Sequence, residues 1–226
     1  MREVVDFIRR LSENNCREWF EEHRVEWQQV RRIYSEFAEE LIAGIASFDP
    51  SVHGLRAADC TYRIARDTRF STDKTPYKSW LGIYIVPHGK KSGYAGYYFH
   101  IASPHDTLLN GHLLASGLYC PEGAILRSVR DEILDNGAAF TQAIEKAQGF
   151  ELMRTSMLKR TPQGFPTGTE YDDLLRLKEF DVSKPIDEAF LFADNLVERS
   201  VEEFRKTHAF VEILNRAVQY AYEEMM

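Results

Sequence analysis

The sequence predicts an α+β fold in which a central, mainly antiparallel sheet packs against amino- and carboxy-terminal helices. Three observations carry that expectation. Apolar residues recur at helical spacing along both ends of the chain. The middle breaks into short β-branched and aromatic runs separated by Gly, Pro and Ser. Between those runs no helix-length stretch occurs, so antiparallel pairing is favoured over βαβ units.

Val4, Phe7, Ile8 and Leu11 define the first helix, and Asn14-Asn15 interrupts it. Asn15 followed by Glu18 has the spacing of a capping box, so a second helical run is expected to start there. Its apolar stripe runs from Trp19 and Phe20 through Trp27, Val30, Tyr34 and Phe37 to Ile45, and Pro50 ends it. A run over 16–47 is long for one globular helix, which predicts a bend at 23–26. Short strands are expected at 61–66, 81–86, 94–101 and 107–113, with "PHGKKSGYAG" as a hairpin connection between the second and third. Helical spacing returns after Pro121 and breaks at Asn136-Gly137. "LKRTPQGFPTGTEYDD" reads as a loop, "LLRLKEFDVSKPI" as a helix end followed by a short strand, and the chain from Asp187 onward as an acidic helix. One α+β domain over 1–226 is the economical organisation, with a helical part at 1–50, a sheet core at 61–113 and a mainly helical part at 121–226.

A hydrophobic content of 44% and an aromatic content of 12% support one packed core and exclude a disordered tail protein. No apolar stretch approaches the roughly 20 residues that cross a bilayer. The opening "MREVVDFIRRLSENN" is charged and amphipathic, unlike a secretory signal. Cys16, Cys60 and Cys120 are scattered and odd in number, which argues against a disulfide framework and against zinc. The histidines show no metal-ligand spacing. A cytoplasmic protein with no metal, no cofactor and no membrane association is expected.

The formal net charge is −7, yet the segment from Thr61 to Lys91 holds seven bases (Arg63, Arg66, Arg69, Lys74, Lys78, Lys90 and Lys91) against two acids, Asp67 and Asp73. Global acidity disfavours long-range capture of nucleic acid, while a local basic face can still hold phosphate. Sorted by strand parity, Tyr62, Ile64, Arg66 and Phe70 share one face, with Arg66 the awkward member. A guanidinium turned inward must find a carboxylate or several carbonyls. Arg63, Asp67 and Arg69 share the other face, which Tyr98 and His100 are expected to extend. Pro76 forbids a ladder beyond that, so Lys74, Tyr77 and Lys78 lie on a loop, where Tyr77 is placed to stack on a ring or base. Lys90 and Lys91 read as solubilising charges on a hairpin tip.

"YRIARDTRFSTDKTPYKSWLG" resembles the hallmark of a bacterial and fungal family, the domain of unknown function 2461. "NNCREWFEEHR", "GYYFHI", "GLYCP", "LKRTPQGF" and "LLRLKEFDVSKPI" resemble further parts of its pattern in the same order, from about Val5 to Asn215. The resemblance implies a single α+β domain and assigns no activity.

The residues themselves point to a site for a small anionic, phosphate-bearing ligand at the end of the first strand, built from Arg63, Arg66, Asp67, Arg69, Lys74, Tyr77 and Lys78. The same cluster also reads as a structural ion-pair network joining sheet to helices. If the protein is an enzyme, phosphoryl or acyl chemistry suits it, with Asp67 or His100 as base. The competing expectation is a non-enzymatic module that docks an acidic protein, nucleic acid or its own acidic carboxy-terminal helix through the basic face.

Overall fold

The amino-terminal stripes become three helices. α1 (Arg2–Glu13) buries Val4, Val5, Phe7, Ile8 and Leu11 on one side. α2 (Arg17–Glu22) and α3 (Arg24–Ala46) are separated only by His23, at φ −103° and ψ 17°, which realises the expected bend. The His23 ring lies with Nδ1 2.8 Å from the Trp19 carbonyl oxygen, within the last turn of α2. The computed structural model describes residues 1–106, 108–109 and 111–225. The expected capping box does not form. Cys16 occupies the cap of α2 with no side-chain bond, and Asn15 is used elsewhere.

A turn at Pro50–Val52 and the short α4 (Ala57–Cys60) lead to the sheet. Its strands are β1 (Trp80–Ile85), β2 (Gly96–Ala102), β3 (Leu113–Leu118), β4 (Glu151–Leu152) and β5 (Phe180–Pro185), in the order β1-β2-β3-β5-β4 with every pair antiparallel. The expected hairpin joins β1 to β2. Two expected strands differ. Over 61–66 only isolated bridges occur, Thr61 to Ile83 and Ala65 to Tyr77, because the chain doubles back and pairs with itself. Of the strand expected at 107–113, Thr107 and Asn110 lie outside the described residues, and the ladder runs from Leu113 to Leu118 instead. The sheet also extends beyond 61–113, since β4 and β5 come from the carboxy-terminal part.

Alternation then sorts the sheet into two unlike faces. Leu81, Ile83 and Ile85, with Tyr97, Phe99 and Ile101, Leu114 and Leu118, and Phe180 and Val182, form one buried face. Against it pack α3 and α8 (Leu196–Glu224), as in the contact of Phe37 with Phe99 and of Phe204 with Tyr97. Polar groups there are paired: the hydroxyl of Thr207 lies 2.7 Å from that of Ser116, and the Tyr97 hydroxyl donates to Asp49 at 2.9 Å. α5 (Gly123–Lys146) lies against α8, and Phe140 contacts both Phe180 and Phe210. Its expected break is a kink at Asn136, beside Gly137, where the Tyr171 ring fills the space of a side chain. α6 (Asp172–Leu175) and α7 (Glu188–Leu191) flank β5.

Gly117 and Gly54 separate two kinds of glycine requirement. Both have positive φ, but a Cβ on Gly117 overlaps the backbone of Phe180 and Asp181, whereas one on Gly54 meets nothing. Urea denaturation should show a loss of about 1 kcal/mol for Gly54→Ala, from the left-handed backbone alone. Gly117→Ala should lose at least about 3 kcal/mol. Equal losses would show that the clash at Gly117 is relieved by movement of β5.

Candidate functional site

The basic segment is a folded-back loop on the outer edge of β1. Thr61 bridges to Ile83, and the two limbs of the loop pair through Arg66 N–H to the Pro76 carbonyl and Lys78 N–H to the Ile64 carbonyl, both 2.9 Å. Asn15 pins the returning limb to the helices. Its amide donates to the Tyr77 carbonyl at 2.9 Å and its carbonyl accepts the Tyr77 N–H at 3.1 Å, as a strand would. The Tyr77 ring stacks on Phe20 at 4.1 Å, so it serves as an anchor in the core and is not presented to a ligand.

This geometry divides the expected site residues. Arg66 donates to Asp73 and to the hydroxyl of Thr75, so its awkward inward position is resolved by a carboxylate within the loop. Arg69 holds Asp67 through Nε at 3.0 Å and Nη2 at 2.7 Å on the surface, and these bonds lower the Asp67 pKa. Such an exposed pair contributes little stability. Phe70, expected on the core face, is 97% exposed at the loop tip, because no ladder continues there to turn it inward. Lys74 donates to the Thr68 carbonyl at 2.9 Å. Lys90 holds the Ala58 and Asp59 carbonyls at the end of α4, a bonded role in place of the expected solubilising one.

Lys78 differs from the rest. Its Nζ donates to the Arg63 carbonyl at 2.5 Å and lies 5.1 Å from the Trp80 ring centre and 5.7 Å from that of Tyr62. Burial first, and the neighbouring Arg63 second, lower its pKa. Among the described residues, Arg63, Lys74 and Lys78 form no salt bridge with a carboxylate. Beside Lys78 is a cleft of about 130 Å³ lined by Asn15, Arg66, Asp73, Lys78, Trp80 and His105. A more open groove of about 470 Å³ lies across the same loop, lined by Cys16, Arg17, Glu18 and Lys74 among others.

The other face of the sheet carries Trp80, Gly82 and Tyr84 on β1, Tyr98 and His100 on β2, and Asp181 on β5. Tyr98 and His100 therefore join the Tyr62–Trp80 side of the edge, not a face shared with Arg63 and Asp67. His100 is fully buried, with Nδ1 2.7 Å from the Tyr98 hydroxyl and Nε2 2.7 Å from Asp106 Oδ2. Both ring nitrogens are engaged, so it does not act on a ligand directly. Reasoning from sequence missed Trp80, Tyr62 and Asp106. The signal for Asp106 was the turn "SPHD" six residues after His100.

Two carboxylates give opposite pH responses. The Thr75 backbone N–H first, then Arg66 and the Thr75 hydroxyl, hold Asp73 down to about 2. Its contribution is present above the ordinary carboxylate range and lost as pH falls from about 4 through about 2. A carboxyl NMR titration should place the Asp73 midpoint near 2, and Arg66→Ala should move it upward; an unmoved midpoint would separate Arg66 from Asp73. Burial, with Glu179 adding, raises Asp181 to about 7. Its contribution is full below about 4 and lost as pH rises through about 7. Asp181→Asn should therefore flatten the fall in denaturation midpoint between pH 5 and pH 8, and an identical pH profile would contradict this.

No curated protein and no solved structure matches the chain. A family model described as a conserved hypothetical protein (DUF2461) matches residues 3–212, and with that match, over the loop, sheet and helices described above, the chain belongs to this family.

Proposed function

We propose that the protein binds a phosphate-bearing anion against the wall formed by Tyr62 and Trp80, with Lys78 and Arg63 as its counter-charges. One observation supports this above the others: Lys78 is half-buried between aromatic rings with no carboxylate partner among the described residues. An ammonium held that way is under-compensated, and an incoming anion supplies the missing charge. Arg66 and Arg69, whose charges Asp73 and Asp67 already meet, serve to shape and brace the loop. Lys74, across the loop beside Arg17, extends the positive surface. Turnover at a phosphoryl or acyl group is the enzymatic form of this reading. Asp67 is bound to Arg69 and His100 is enclosed, so any base acts through another group. We also take the protein to be cytoplasmic, a reading supported by three free cysteines; among the described residues no helix is long and apolar enough to cross a membrane.

Docking of an acidic protein or nucleic acid is the second reading, and exposed Phe70, with the Arg69 guanidinium 5.8 Å from its ring centre, is what favours it. Thermal denaturation with inorganic phosphate, propyl phosphate and nucleotides distinguishes the two. An anion at 100 times its dissociation constant adds about 2.7 kcal/mol of stability. Lys78→Gln should weaken the response at least about tenfold in affinity, the scale of a charge-assisted hydrogen bond, while Phe70→Ala leaves it unchanged. Absence of any anion response, or a wild-type response from Lys78→Gln, would remove the small-ligand reading.

A further inference from the structure

Lys78 is surrounded differently from the lysines that brace the fold. Lys184 and Lys206 share Glu203 at 2.8 and 2.9 Å, and Lys90 holds two carbonyl oxygens. Among the described residues, Nζ of Lys78 has one acceptor, the Arg63 carbonyl at 2.5 Å, and it lies over the rings of Trp80 and Tyr62. An ammonium has three N–H groups to place, so two of them find no acceptor among those residues. An iminium keeps the positive charge and carries a single N–H. One carbonyl satisfies that N–H, and the two rings attract the charge. Burial also favours the free amine that must form first, since it lowers the Lys78 pKa. Lys78 lines a cleft of about 130 Å³. A cavity of roughly 150 Å³ accommodates benzene, so this one has room for the carbonyl end of a small molecule.

We infer that Lys78 captures a carbonyl group as an iminium, so that the ligand class is a phosphorylated ketone or aldehyde. This rests on the anion reading of Lys78 and deepens it, because the iminium retains the charge that the phosphate meets. The ammonium first gives one proton to solvent. The nitrogen lone pair then forms the C–N bond while the C=O π pair moves to oxygen, and nitrogen passes a second proton to that oxygen. The proton lent to solvent returns, and the oxygen leaves as water as the nitrogen lone pair closes C=N. Atoms and charge balance with no oxidant or reductant, and the last N–H remains for the Arg63 carbonyl.

Trapping with dihydroxyacetone phosphate and sodium cyanoborohydride, followed by peptide mass mapping, tests this, since hydride reduces C=N to a secondary amine. Wild type should gain one adduct, the mass of the ketone less one oxygen, at Lys78 ahead of every other lysine. Glycerol 3-phosphate, with an alcohol in place of the ketone, should form no adduct and should slow the labelling of Lys78. Lys78→Arg keeps the charge and removes the amine, so it should keep the thermal response to propyl phosphate and lose the adduct. Mapping of the wild-type adduct stands even if that variant fails to fold. Labelling spread evenly over the lysines, or no adduct in a wild type that responds to propyl phosphate, would overturn iminium capture and leave the anion reading intact. Labelling of Lys78 that glycerol 3-phosphate does not slow would overturn the phosphate part of both. Neither adduct nor phosphate response would overturn both entirely.

Discussion

The shape of the basic segment depends on one carboxamide. Asn15 offers Tyr77 the two hydrogen bonds that a neighbouring strand would provide, from a position sixty-two residues away, and the Tyr77 ring is stacked on Phe20 beside it. A loop interrupted by Pro76 cannot continue the ladder of β1. Without an outside partner the Tyr77 N–H and carbonyl would be left to water, and the returning limb would be held only by its own bonds to the outgoing one. With it, the returning limb is fixed against the helices, and Lys78 is carried to the Trp80–Tyr62 wall.

That arrangement explains why so many positive charges on an acidic chain do not form one uniform patch. A guanidinium takes a carboxylate wherever one is within reach, and the loop carries Asp67 and Asp73 a few residues from its arginines. Arg66 and Arg69 are consumed in this way, one bracing the base of the loop and the other its surface. The lysines, with compact ammonium groups, instead hold carbonyl oxygens. Charge remains uncompensated at Lys78 because burial among rings keeps carboxylates out, which is also why its ammonium form is disfavoured there.

The sheet supplies the second half of the setting. α3 and α8 pack on one face, and the opposite face carries Trp80, Tyr84, Tyr98, His100 and Asp181. Desolvation there raises the Tyr98 and Asp181 pKa values and disfavours their ionised forms. Tyr98 consequently stays a neutral hydroxyl, 2.7 Å from His100 Nδ1.

Apolar spacing, the length of a run and the turn residues that interrupt it determined the helices at both ends, the bend at His23, the break beside Gly137, the β1–β2 hairpin and the α+β class, because each depends on near neighbours in the chain. The family likeness and the position of the charged loop were equally legible, since both are written in contiguous residues. Tertiary structure decided the rest. Residues 61–66 read as a strand because their composition is right, but no neighbour supplies a ladder. Asn15 reads as a cap because the nearest backbone is its own helix, yet Tyr77 outcompetes it. Asp106 gained meaning only when β2 and the turn after it closed on His100. Partner choice among polar groups is settled by distance in space and by exclusion of water, and neither quantity is carried by the order of residues along a chain.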